Sequence, residues 1–150
     1  MYTQILVPLD GTPGAERILP WLRPLVLESR GIVRLLMVLP PAKPVVVENH
    51  VVTYVDQVEG DARVRANAYL RRVAAPLLGD GIPVAIEIRF GGMVETILAA
   101  VEEWGADLIA IAPPEDGWIG RSLGRGVADH LLRRTSVPVL VARISGQRAA

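Results

Sequence analysis

The sequence has no cysteine, which excludes disulfide staples, thiolate nucleophiles and thiolate metal sites. That absence agrees with a reducing cytoplasm, the expected location. Formal net charge is zero, so no basic stripe for nucleic acid and no charged tail is expected. No apolar run approaches the roughly 18 residues of a membrane span. The first strand, "YTQILVPLD", begins almost at once, with no basic leader or cleavage site ahead of it. Lys43 is the only lysine, and no serine stands in a nucleophile-elbow context. His50 and His130 have no ligand-spaced partners, so no metal site is expected. Glu102 and Glu103 are adjacent on a helix and diverge, as a solvated face rather than a catalytic pair. Enzyme chemistry has little to stand on.

What is present is an alternation of two segment types along one domain of 150 residues. Gln4–Leu9, Val33–Leu39, Pro83–Phe90, Asp107–Ala112 and Pro138–Arg143 are short and apolar at nearly every position. Strands covered on both faces read this way. Between them lie helical stretches. The first offers Thr12 as N-cap, Pro13 at the first helical position and Gly31 just past the end, with Pro20 and Pro24 predicting a bend. The second, from about Gly60, aligns Ala66, Leu70, Val73 and Leu77; the third aligns Val94, Ile97, Leu98 and Val101 and closes on Gly105. The last stacks Val127, Ala128, Leu131 and Leu132, with Arg133 and Arg134 late, as the helix dipole favours. Trp21 and Trp104 read as helix packing, and Trp118 as an exposed contact residue.

The order β-α-β-α-β-α-β-α-β predicts an α/β fold, a single open doubly wound parallel sheet of five strands with helices on both faces. One long connection, about residues 40–59, has a Val-rich middle that fits either an extra strand or a flap, and residues 144–150 form a tail.

Four segments resemble the universal stress protein family, from Ile5 to Arg143: "ILVPLDGTPGAERIL", "LLMVLPP", "FGGMVETILAAVEEWGADLIAIA" and "VADHLLRRTSVPVLVAR". The resemblance implies an adenine nucleotide alpha hydrolase-like, Rossmann-like sheet in the order 3-2-1-4-5, and dimers through the last strand. In relatives that bind ATP, the loop after the fourth sheet strand reads Gly-x-x-Gly, nine residues, then Gly-Ser/Thr. Here those positions hold Ala112, Glu115, Arg125 and Gly126, and all four differ. Positions near the family's adenine and ribose fall on Pro8, Asp10 and Val38, which are compatible.

That order puts a switch-point crevice between the first and fourth strands, beyond their carboxyl ends, with Asp10 facing the Pro113–Gly126 loop. Pro113 and Pro114 offer no backbone N–H, and Glu115 and Asp116 follow. A hydrogen bond to a charged group contributes about 1.5–3 kcal/mol. Like charges about 4 Å apart near a surface cost up to roughly 4 kcal/mol. A micromolar affinity amounts to only about 8 kcal/mol. Against this stand Gly117 and Gly120, a shifted Gly-x-x-Gly, with Gly124, Gly126 and Val127 at the helix start, Arg121 and Arg125 as counter-charges, and Ser122 as a donor. Asp10 is read equally as a turn residue or a ribose contact.

The expected function is a dimeric regulatory or binding module, with an unidentified protein partner and without the standard family ATP site. Two rivals remain open: a re-registered ATP or AMP sensor using the crevice residues, and, ranked last, a nucleotide hydrolase. The last strand, Val137–Ala142, has few gatekeeping charges and is expected to pair with a second copy.

Overall fold

A computed structural model of the chain describes residues 1–43, 45–53, 55–112 and 125–142. Seven strands are present among them: β1 (Gln4–Leu9), β2 (Ile32–Leu39), β3 (Val45–Val47), β4 (His50–Thr53), β5 (Val84–Phe90), β6 (Leu108–Ile111) and β7 (Val139–Val141). The helices are α1 (Leu19–Ser29), α2 (Val55–Gly79), α3 (Met93–Trp104) and α4 (Arg125–Arg134). Five strands form one sheet in the order β5-β2-β1-β6-β7, while β3 and β4 stand apart as a hairpin. Leaving the hairpin aside, the sheet strands run 3-2-1-4-5, and every pairing in that sheet is parallel. This is the expected doubly wound α/β architecture.

The apolar strands read correctly because both of their faces are covered. In β2, Val33 and Leu35 point to one face and Leu36 and Val38 to the other, and all four are buried. Helix α2 packs on β2 and β5, and α3 packs on β2. At the amino ends of the strands, Asp107 accepts from the backbone N–H groups of Thr3 and Gln4, at 2.9 and 3.0 Å, which locks β1 beside β6.

Helix starts and ends depart from expectation in instructive ways. Thr12 and Pro13 do not open α1. A short 3-10 turn, Ala15–Ile18, comes first, and α1 begins at Leu19. Pro20 therefore sits in the first turn, where no donor is needed, and Pro24 alone interrupts the interior. Arg30, not Gly31, takes the left-handed position at the end, with φ 55°. Gly31 answers a different demand: a Cβ there would lie 3.0 Å from the Thr3 carbonyl oxygen. Trp21 is 60% exposed rather than packed, because Ile18, Leu22 and Val26 take the core-facing positions. Trp104 does pack on the core, under the Arg34 guanidinium at 4.7 Å. In α4, Leu131 is buried but Leu132 is 54% exposed, so the apolar stripe is narrower than the sequence suggests.

The long connection carries the β3–β4 hairpin, turned by Glu48 and Asn49, both at positive φ. Positive φ at both central residues is the hairpin geometry that matches strand twist. Helix α2 then begins earlier than expected, at Val55.

The two outer strands of the sheet differ. On β5, Glu87 accepts from Arg89 at 2.7 Å and from Arg34 at 3.0 Å, and Arg89 reaches on to Glu103. Strand β7 presents half-buried Val139, Leu140 and Val141. Burial works against the Glu87 charge, yet the hydrogen bonds from Arg89 and Arg34 hold its carboxyl below the ordinary 4.5. A depressed carboxyl stabilises the fold above that ordinary value and loses the contribution as pH falls through the folded one. Glu87→Gln is therefore expected to be less stable than the parent at neutral pH, with the gap closing below 4.5. Urea titrations across that range would show it, and a gap independent of pH would contradict it.

Candidate functional site

The candidate site is the crevice at the carboxyl ends of β1 and β6. These neighbours pair at Ile5↔Leu108 and Leu6↔Ile109 and no further. A proline in a central strand withholds a ladder bond, and Pro8 comes two residues after the last pair. Ladder pairing between β1 and β6 ends there, while β1 stays joined to β2 as far as Leu9↔Met37. The strand order reverses at this pair, which makes its carboxyl end the switch point where ligands of such sheets settle.

Asp10 follows directly. Its Oδ1 accepts from the Thr12 backbone N–H at 2.9 Å and from the Thr12 hydroxyl at 2.6 Å. The Thr12 Oγ1 in turn accepts from the Ala15 N–H at 3.3 Å, feeding the 3-10 turn. Gly11, at φ 86°, makes the corner, and a Cβ there would come within 3.4 Å of the Met37 methyl. Asp10 is thus a turn residue through Oδ1. Its Oδ2 takes no hydrogen bond among the described residues, and the residue as a whole is half-buried. The turn role and a ligand contact are compatible on one side chain.

Pro8 and Val38 are both buried, and the β1–β2 register places them on one face of the sheet. They form wall, not rim. On the other side of the crevice, Ala112 is buried at the end of β6, while Gly126 and Val127 lie in the first turn of α4, Gly126 exposed and Val127 half-buried against the core. Arg125 opens that helix. Gly117, Gly120, Arg121, Ser122 and Gly124, with Trp118 and the Pro113–Asp116 run, lie outside the described residues. The structure places Pro8 and Asp10 at the carboxyl end of β1, Val38 at the carboxyl end of β2, and Gly126 and Val127 in the first turn of α4. Among the described residues no group of three or more His, Asp or Glu side chains is placed to hold a metal ion, and no helix is long and apolar enough to cross a membrane.

Sequence reasoning missed Tyr69 and Glu16. The Tyr69 hydroxyl donates to Glu16 Oε2 at 3.1 Å, joining α2 to the 3-10 turn across 53 residues. Burial, then the Glu16 carboxylate and the more distant Asp10, push the Tyr69 phenol well above its usual range. The phenol stays a donor at any physiological pH and ties the turn behind Asp10 to α2. Helical periodicity marks Tyr69 as a flank of the buried face but gives no hint of its partner.

Comparison with known proteins bears on this geometry. A family model for the universal stress protein family matches residues 1–143. No curated protein matches the chain in sequence. Among solved structures, protein MJ0577 superposes with a TM-score of 0.80 at 23% identity, over 97% of this chain and 98% of that one. A universal stress protein in complex with cAMP gives 0.69 at 19% identity, covering 96% and 98%. The universal stress protein from Archaeoglobus fulgidus in complex with dAMP gives 0.66 at 16% identity, covering 95% and 98%. Likeness at such identities speaks for the fold alone, but the family match spans nearly the whole sequence, and the chain belongs to the universal stress protein family.

Proposed function

We propose that the chain is a cytoplasmic regulatory binding module, acting as a two-fold dimer through Val137–Ala142, whose crevice does not hold ATP in the usual family manner. One observation carries this reading: the sequence that follows β6 and Ala112 begins Pro113-Pro114-Glu115-Asp116. A triphosphate needs backbone N–H groups and positive potential where it sits. Two prolines and two acids supply neither. Among the described residues Asp10 is the one candidate general base or metal ligand at the carboxyl ends of β1 and β6, and turnover of a nucleotide is not expected.

The test is calorimetry with Mg-ATP, together with mass spectrometry of anything released when the purified protein is denatured. No micromolar heat from ATP and no co-purified ATP are expected. The double variant Pro114→Gly with Glu115→Gly restores two features of a phosphate loop and is expected to raise ATP affinity. Each regained charge-assisted bond is worth about 1.5–3 kcal/mol, so the gain should be roughly tenfold or more. Tight ATP binding by the parent, or no gain in the variant, would overturn the reading.

A second reading has specific support. Pro8, Val38 and the open oxygen of Asp10 keep a base-and-ribose wall, and two structural relatives are complexes with cAMP and with dAMP, ligands carrying one phosphate. A single phosphate can be met by the first turn of α4, with Arg121, Ser122, Arg125 and the Gly117, Gly120, Gly124, Gly126 and Val127 backbone re-registered toward it. In that case AMP or cAMP gives heat in the same calorimeter where ATP does not.

A further inference from the structure

A groove of about 430 Å³ runs between the 3-10 turn with α1 on one side and α2 on the other. It lies on the helical layer, apart from the crevice at the strand ends. Its apolar surface comes from Leu19, Pro20, Val73, Pro76 and Leu77. Small-molecule sites span about 300–1,000 Å³ and combine an apolar body with a few placed polar groups.

The charges around this groove are unevenly matched. Arg23 and Asp80 satisfy each other at 2.6 Å and close one part of it. Glu16 and Arg72 also line it, and neither meets an opposite charge among the described residues. Glu16 accepts from the neutral Tyr69 hydroxyl at 3.1 Å. Arg72 has its guanidinium 5.4 Å from the centre of the Tyr69 ring. No carboxylate approaches Arg72, and no cation approaches Glu16, within ion-pair distance among the described residues. One tyrosine thus holds an acid at its hydroxyl and a base over its face, beside an apolar floor.

We infer that this groove is a ligand site for a small apolar zwitterion, of which a hydrophobic α-amino acid is the simplest form. The ammonium pairs with Glu16, the carboxylate with Arg72, and the side chain lies on Leu19, Val73 and Leu77. An apolar anion would set its carboxylate near Glu16 without compensation, and an apolar cation would face Arg72 in the same way. Only a ligand carrying both signs at short separation satisfies both groups. The Tyr69 phenol, held protonated by its burial and by Glu16, keeps the acid in place without neutralising it. The assignment is independent of what the crevice binds.

The probe is L-leucine, added to the full-length protein while backbone amide resonances are followed by NMR. Saturable shifts centred on Leu19, Val73 and Leu77 are expected. Isocaproate, which lacks the ammonium, and isoamylamine, which lacks the carboxylate, should each bind at least about tenfold more weakly, the usual scale for losing one charge-assisted contact. Arg72→Gln and Glu16→Gln should each weaken leucine by a similar factor. Glu16→Gln keeps an acceptor for Tyr69, so an unchanged melting temperature separates lost binding from lost structure. Absence of saturable shifts at the groove overturns the assignment. So does a single-charge analogue that binds as well as leucine, or leucine binding indifferent to both substitutions.

Discussion

Replacing Ile109 by alanine is expected to lower the stability of the protein by about 2–5 kcal/mol, the range for a large aliphatic residue lost from a closed core. Ile109 is fully buried in β6, paired with Leu6 on one side and Val139 on the other. Of the neighbouring strands, β1 is held by its register with β2 and by the Asp107 clamp, and β7 by its register with β6. The site therefore has little freedom to collapse into the space left behind, and the cavity term should persist alongside the lost transfer energy. For a chain of this size each kcal/mol moves the midpoint by about 2–4 °C, so a fall of roughly 4–20 °C should be visible by circular dichroism. Leu132→Ala is the natural control. That leucine is 54% exposed, and its truncation should stay within about 0.5 kcal/mol, as surface changes do. Equal losses in the two variants would mean that the sheet centre is not packed as described.

Val141→Pro is expected to split the proposed dimer while sparing the fold. In β7 the Ala142 N–H donates to the Ile111 carbonyl, and the Pro138 carbonyl accepts from Ile109. Strand alternation then turns the Val139 and Val141 amides away from β6, toward whatever lies beyond. Proline at 141 removes one outward donor per protomer without touching the β6–β7 ladder, a placement that edge strands tolerate. Two-fold symmetry doubles the loss. Two bonds at about 0.5–1.5 kcal/mol each amount to about 1–3 kcal/mol, or roughly a 5- to 150-fold weaker association. Sedimentation measured across a dilution series would read the change directly, with the melting temperature of the dilute protein as a check on folding. An association constant left intact would place the contact between copies on another surface.

Much of the sheet was legible because its strands are apolar on both faces, a pattern that only a doubly covered parallel sheet demands. The position of Asp10 followed from strand order alone, since the order fixes where the chain must turn out of β1. Legibility failed where one local signal fits two structures. Thr12-Pro13 has the composition of a helix start, but Pro13-Gly14 also suits a tight turn, and packing of Ala15 and Ile18 decided in favour of the 3-10 form. Glu48-Asn49 is a weaker hairpin signal than Asn-Gly, so the strands around it could not be told from a flap. Trp21 was misplaced because helical periodicity does not say which of several apolar flanks faces the sheet. The Tyr69–Glu16 contact depends on two elements meeting 53 residues apart, and no spacing rule reaches that far. At the crevice, the phosphate side is legible only as residue identity, because residues 113–124 lie outside the described residues, and the base side rests on the family resemblance at Pro8, Asp10 and Val38.

The unlike borders of the sheet have a consequence for assembly. One border is guarded by the Glu87, Arg89 and Arg34 ladder, while the described residues of β7 carry no charge, so a further strand meets less resistance on that flank. In the proposed dimer two chains meet at β7, and the borders left outermost carry the Glu87 and Arg89 charges, which a further strand would have to desolvate. Growth into ribbons would then meet that desolvation cost at both ends. Neutralising Glu87 and Arg89 together would remove that stop.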